Sequence, residues 1–104
     1  MKFGLKEKAI TDIQSVFATV PEIEKAIIYG SRAKGNFKNG SDIDITLKGN
    51  VLNLTILNQI LLKLDDLFLP YKFDISIYHQ INNSDLLDHI QRIGICFYEK
   101  KSDI

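Results

Sequence analysis

The chain has 104 residues, enough to bury one modest hydrophobic core and too few for two. Its 13 Lys and Arg residues balance 13 Asp and Glu. That speaks against a general binder of nucleic acid or membrane surfaces, which are usually basic, and the single cysteine, Cys96, excludes an internal disulfide.

In chain order, the opening Met1-Lys2-Phe3-Gly4 passes at once into charged residues. It lacks the apolar core of a secretory signal, and no stretch approaches a membrane span in length, so a cytoplasmic protein is expected. Apolar residues at Leu5, Ala9, Ile13, Val16, Phe17 and Val20 predict one stripe of a helix that Pro21 ends. Ile23 to Tyr29 reads as a short buried strand closing on Gly30, and Ser31 to Gly40 as a polar loop with an Asn39-Gly40 turn. Asp42 to Lys48 alternates strictly, with Asp42, Asp44 and Thr46 on one face and Ile43, Ile45 and Leu47 on the other. Period two is the mark of a strand with one apolar face. After Gly49-Asn50, Leu54, Leu57, Leu61, Leu64 and Phe68 repeat at helical spacing until Pro70.

Phe73 to Tyr78 alternates again, setting Phe73, Ile75 and Ile77 opposite Asp74, Ser76 and Tyr78. Ser84 reads as the N-cap of a helix through Leu86, Ile90 and Ile93, with Asp85 near its positive end and Gly94 as C-cap. Ile95 to Glu99 makes a last strand, in which Cys96 is expected to be a buried small hydrophobe, and Lys100 to Ile104 a tail. The order predicts one α/β (α+β) domain over residues 1–104, a small mixed sheet of about four strands covered on one face by helices.

Two separate strands thus place aspartate opposite their isoleucines. Residues i and i+2 of a strand share a face about 6.5 Å apart, so Asp42 and Asp44 project side by side. Asp74 adds a third carboxylate if its strand is the neighbour. Solvent-exposed aspartates on an antiparallel sheet alternate in the same way, and that reading stays open at this point. Clustered carboxylates repel one another, and a divalent cation removes the cost. The hard ion Mg²⁺ takes one or two carboxylates together with phosphate oxygens, and two such ions can activate an attacking oxygen and stabilise a leaving pyrophosphate. Two scattered histidines and one cysteine match no zinc spacing.

The segment upstream adds Gly30-Ser31, which follows a strand directly and opens Ser31-Arg32-Ala33-Lys34-Gly35. A strand ending in glycine lets a ligand approach the backbone closely. A helical turn beginning at Ser31 would offer free N–H groups to an anion, with Arg32 and Lys34 as cationic partners. The P-loop pattern is absent.

Gly30-Ser31, ten intervening residues, then Asp42-Ile43-Asp44 make the pattern GS-x10-DxD, with Asp74 on a later strand. This resembles the nucleotidyltransferase superfamily that includes DNA polymerase β and kanamycin nucleotidyltransferase. Tyr29 to Gly35 and Gly40 to Ile45 are most similar to its minimal nucleotidyltransferase (MNT) branch. The resemblance implies a polymerase β palm-like fold, with Gly30 and Ser31 holding the β- and γ-phosphates and Arg32 and Lys34 nearby. It further implies that Asp42 and Asp44 ligate two Mg²⁺ ions, and that Asp74 joins one of them and helps deprotonate the acceptor. Lys34 departs from the second Arg of many relatives, keeping the charge and losing the bidentate fork.

The same branch implies an ATP-using antitoxin that transfers AMP to a tyrosine of a HEPN-type toxin, in a hetero-oligomer with it. Two alternatives are an antitoxin that acts by binding alone and a transferase for a small molecule. The many apolar positions of Leu54 to Leu69 suit either a small core or a partner surface, and Phe37 either a contact or a loop anchor. Tyr29 reads as strand packing. Neither His79 nor His89 is given a role, and His89 is placed on a polar helix face.

Overall fold

The structure, a computed structural model, describes residues 2–101. The C-terminal part of the expected tail, residues 102–104, lies outside the described residues. Eight elements follow in order: α1 (Glu7–Ala18), β1 (Lys25–Tyr29), α2 (Gly30–Lys34), β2 (Ile43–Lys48), α3 (Leu54–Asp65), β3 (Phe73–Ile77), α4 (Ser84–Ile93) and β4 (Ile95–Glu99), with a 3-10 turn at Tyr78–Gln80. None of the described helices is long and apolar enough to cross a membrane.

The boundaries differ from the sequence expectation where local hydrogen bonding outweighs periodicity. Leu5 precedes α1 and bonds back to Lys2, yet its side chain is fully buried. α3 stops at Asp65 because Phe68 adopts a left-handed backbone, φ 53, before Pro70 arrives. The N-cap of α4 is Asn83 and not Ser84: Asn83 Oδ1 accepts from the N–H groups of Asp85 and Leu86 at 2.9 and 3.1 Å. A carboxamide reaches two of the unpaired first-turn amides, and Ser84 becomes the first helical residue. Cys96 is exposed rather than buried, since β4 is an edge strand and its Cys96 side chain faces away from the core.

The sheet order is β3-β2-β1-β4. β2 pairs antiparallel with β1 and parallel with β3, while β1 pairs antiparallel with β4. A mixed sheet of four strands results. Its isoleucine face (Ile28, Ile43, Ile45, Leu47) joins one buried cluster with Ile13 and Phe17 of α1 and Ile60 and Leu64 of α3. α4 lies on the opposite side: a Cβ on Gly94, its C-cap, would press on the side chain of Ile27, which shares the carboxylate face of β1. The helical cover is therefore not confined to one face, and α4 shields the part of the carboxylate face nearest β1.

Candidate functional site

The register brings the aspartates together. Asp44 stands directly opposite Asp74 across the parallel β2–β3 pair, and Tyr29 stands opposite Asp44 across the antiparallel β1–β2 pair. With strands about 4.8 Å apart, Asp74, Asp44 and Tyr29 form a row across three strands. Asp42 lies just ahead of β2, and its exposed side chain extends the same face. Asp74 is also exposed and Asp44 is half-buried.

Electrostatics ties the row together. Burial raises the Asp44 carboxyl above its ordinary pKa, and the charges of Asp74 and Asp42 push it further, while His89 and Arg32 act the other way. Burial also raises the Tyr29 phenol; the Ser76 hydroxyl opposes this, and Asp74 and Asp44 reinforce it. Thr46 Oγ1 and Ser76 Oγ, paired across β2 and β3 beneath this row, are buried without a well-formed hydrogen bond.

Gly30 is fixed by its surroundings. Its φ is +74, a conformation side chains rarely adopt, and a Cβ there would collide with Asp44 Oδ2. The bend from β1 into α2 is thus folded directly onto the Asp44 carboxylate. The Gly30 N–H donates to His89 Nε2 at 3.2 Å, and the imidazole edge meets the Tyr29 ring at a centroid distance of 6.1 Å.

Ser31 is half-buried at the start of α2, and Lys34 is exposed at its end. Arg32, expected near the phosphates, is turned inward. It is 2% exposed, and its guanidinium donates to the carbonyls of Ser41 and Phe3. The reason is packing: Phe37 and Tyr71 flank the guanidinium and draw it inward.

Two residues near the carboxylates escaped the sequence reading. Tyr29 does pack in the strand, and it also faces the row of carboxylates. His89 is half-buried, not on a polar face. Its signal was available, because Leu86, His89 and Ile93 are spaced three and four apart on one side of α4.

Asp42 and Asp74 border a groove of about 450 Å³ whose walls include Leu61, Asp65, Tyr71 and Lys72. Two larger concavities, about 740 and 630 Å³, lie away from the carboxylates, around Glu22 and Asn50 and along β4. Among the described residues no three Asp, Glu, His or Cys side chains stand close enough together to hold a metal ion as placed. The donor chemistry nevertheless fits Mg²⁺: the three carboxylates are hard oxygen ligands, and their mutual repulsion at Asp44 is what a cation relieves. The two exposed members, Asp42 and Asp74, are those with room to move toward one.

The model of the family described as "Polymerase beta, Nucleotidyltransferase" matches residues 11–103. No curated protein matches the chain. Among solved structures, a chain of a toxin–antitoxin complex with AMP-PNP superposes with a TM-score of 0.70 at 19% identity, covering 95% of this chain and 77% of that one. A chain from a complex of a tri-AMPylated Shewanella oneidensis HEPN toxin with an MNT antitoxin gives 0.67 at 14% identity, covering 92% and 74%. A chain of the MntA–HepT toxin–antitoxin complex gives 0.66 at 14% identity, covering 91% and 74%. At such identities the likeness speaks for the fold, which is the four-stranded mixed sheet described above. With the family model matched over most of its length, this chain belongs to the polymerase β-type nucleotidyltransferase family.

Proposed function

We propose that the protein is an antitoxin that transfers AMP from ATP, with Mg²⁺, to a tyrosine hydroxyl of a HEPN-type toxin bound to it. The observation that carries this reading is the register of β2 on β3, which sets Asp44 against Asp74 while Gly30 closes over Asp44. The solved neighbours add support: one is a chain of a toxin–antitoxin complex with AMP-PNP, and another a chain of a complex between a tri-AMPylated HEPN toxin and an MNT antitoxin.

Asp42, Asp44 and Asp74 would hold Mg²⁺, which when bound neutralises the carboxylates and the triphosphate and eases departure of pyrophosphate. The backbone and hydroxyl of Ser31 would orient the β- and γ-phosphates where the Gly30 bend admits them, with the exposed Lys34 as a mobile cation. Asp74, on the edge strand and at the rim of the groove, would accept the proton of the incoming hydroxyl. The bond from the α-phosphorus to the acceptor oxygen forms as the bond to the β-phosphate oxygen breaks.

The test is incubation of the chain with ATP labelled at the α-phosphate, Mg²⁺ and the product of the neighbouring gene. Label should enter that protein at a tyrosine and fall by about 10²-fold or more in Asp42→Ala, consistent with loss of an essential electrostatic group. No transfer, or equal transfer by the variant, overturns the proposal. A second reading, neutralisation by binding alone, is favoured by the exposed Leu54, Leu62 and Phe68 along and after α3. Antitoxin protection by Asp44→Asn that survives loss of transfer would establish it.

A further inference from the structure

Arg32 is almost wholly buried, and among the described residues no carboxylate lies within ion-pair distance of it. A buried cation without a counter-ion is costly and persists only where other groups replace its solvation. Here those groups come from three separate parts of the chain. Nε and Nη2 both donate to the Ser41 carbonyl, at 3.1 and 2.8 Å, and Nη1 donates to the Phe3 carbonyl at 2.8 Å. The rings of Phe37 and Tyr71 stand 5.3 and 5.1 Å from the guanidinium carbon, within cation–π range.

Each partner has a place in the fold that matters. Ser41 immediately precedes Asp42. Tyr71 precedes Lys72, whose carbonyl accepts from Ile43 N–H at 2.8 Å and so joins the entry of β3 to that of β2. Phe3 and Gly4 both have left-handed backbone, φ 57 and 70, in the turn that delivers the Phe3 carbonyl. A Cβ on Gly4 would strike the Phe37 ring and reach Arg32 Nη1 at 3.0 Å. One strained residue, Phe3, is thus held in a turn against a buried guanidinium, with Gly4 beside it where a side chain would not fit.

We infer that Arg32 is a positioning residue for Asp42: packed against the rings of Phe37 and Tyr71, its guanidinium fixes the Ser41 carbonyl and with it the backbone that enters the carboxylate strands. The planar fork is required, since a lysine ammonium at the end of a flexible stem does not present three N–H groups in a fixed plane to the Ser41 and Phe3 carbonyls. The role rests on the proposed reading of Asp42 as a Mg²⁺ ligand. It assigns to Arg32 an effect on metal binding and none on direct phosphate contact.

The experiment compares wild type with Arg32→Lys, Tyr71→Leu and Gly4→Ala, and uses Lys34→Ala as the phosphate-side control. Hydrogen–deuterium exchange is followed over residues 38–44 in the metal-free chain. Separately, the Mg²⁺ midpoint is read from thermal shifts at saturating ATP, and ATP affinity is read without metal. Arg32→Lys should speed exchange in this segment on the order of tenfold relative to the rest of the chain. It should raise the Mg²⁺ midpoint by about 10–100-fold, the range for loss of a group supporting a metal ligand, and leave metal-free ATP affinity within about twofold of wild type. Tyr71→Leu and Gly4→Ala should move the same two readings in the same direction, and Lys34→Ala should leave exchange over residues 38–44 unchanged. Unchanged exchange over 38–44 overturns the inference. So does an unchanged Mg²⁺ midpoint with weakened ATP binding, which would make Arg32 a phosphate ligand. Should Arg32→Lys fail to fold, Tyr71→Leu decides by the same readings. Should wild type show no response to Mg²⁺, the proposed metal role of Asp42 fails, and the exchange result alone decides whether Arg32 fixes the segment.

Discussion

At the scale of single residues, Gly30 and Asp44 form the tightest constraint. A Gly30→Ala side chain meets both a positive φ and the Asp44 carboxylate, so we expect a loss of about 1–3 kcal/mol in unfolding free energy by denaturant titration. A loss under about 0.5 kcal/mol would show that the bend relaxes freely. Asp44 makes a second prediction through pH. Its folded pKa is raised, chiefly by burial and then by Asp74 and Asp42. The folded state therefore holds the proton to higher pH than the unfolded chain. The stability this gives is present below the ordinary carboxylate range and is lost as pH rises from about 4 through the raised value. In metal-free buffer, melting temperature should fall across that interval in wild type and fall less in Asp44→Asn; parallel curves would contradict the shift. Asp42 and Asp44 were readable from the sequence because period two needs only adjacent residues. The orientation of Arg32 was not, because a long side chain beside a loop can turn to solvent or inward, and its partners Phe3, Ser41 and Tyr71 are remote in sequence.

At the scale of elements, the order of the longer helices and strands follows from periodicity and from Pro21, Pro70, Gly49 and Gly94, whereas α2 falls in the segment expected to be a loop, because five residues are too few to show a helical period. The ends do not, since they depend on single hydrogen bonds. α4 illustrates this: both Asn83 and Ser84 are competent caps, and only geometry shows that Asn83 Oδ1 reaches two amides. Asn83→Ala should lower stability by about 1 kcal/mol, and Ser84→Ala by a few tenths at most. Equal costs by thermal unfolding would place the cap on Ser84 after all. The pairing of β3 with β2 was likewise beyond local pattern, because a parallel neighbour is chosen by the α3 crossover and the shared core. Once that register is known, Asp74 opposite Asp44 follows without further assumption.

At the scale of the whole molecule, the sheet divides the labour between its faces. One face buries isoleucines against α1 and α3, and the other carries the aspartates with α4 over part of it. The sequence showed two faces of opposite character but not that α4 crosses to the polar one, where His89 meets Gly30 and Tyr29. That placement shields Asp44 and leaves Asp42 and Asp74 open. The central claim, that these carboxylates with the Gly30 bend bind Mg²⁺ and a nucleoside triphosphate together, is tested most directly by thermal unfolding with Mg²⁺ and ATP. Ligand at about a hundred times its dissociation constant stabilises the folded state by roughly 2.7 kcal/mol, so the wild-type melting temperature should rise by several degrees. The rise should shrink sharply in Asp42→Asn. An equal rise in wild type and variant, or none in wild type, would contradict the account.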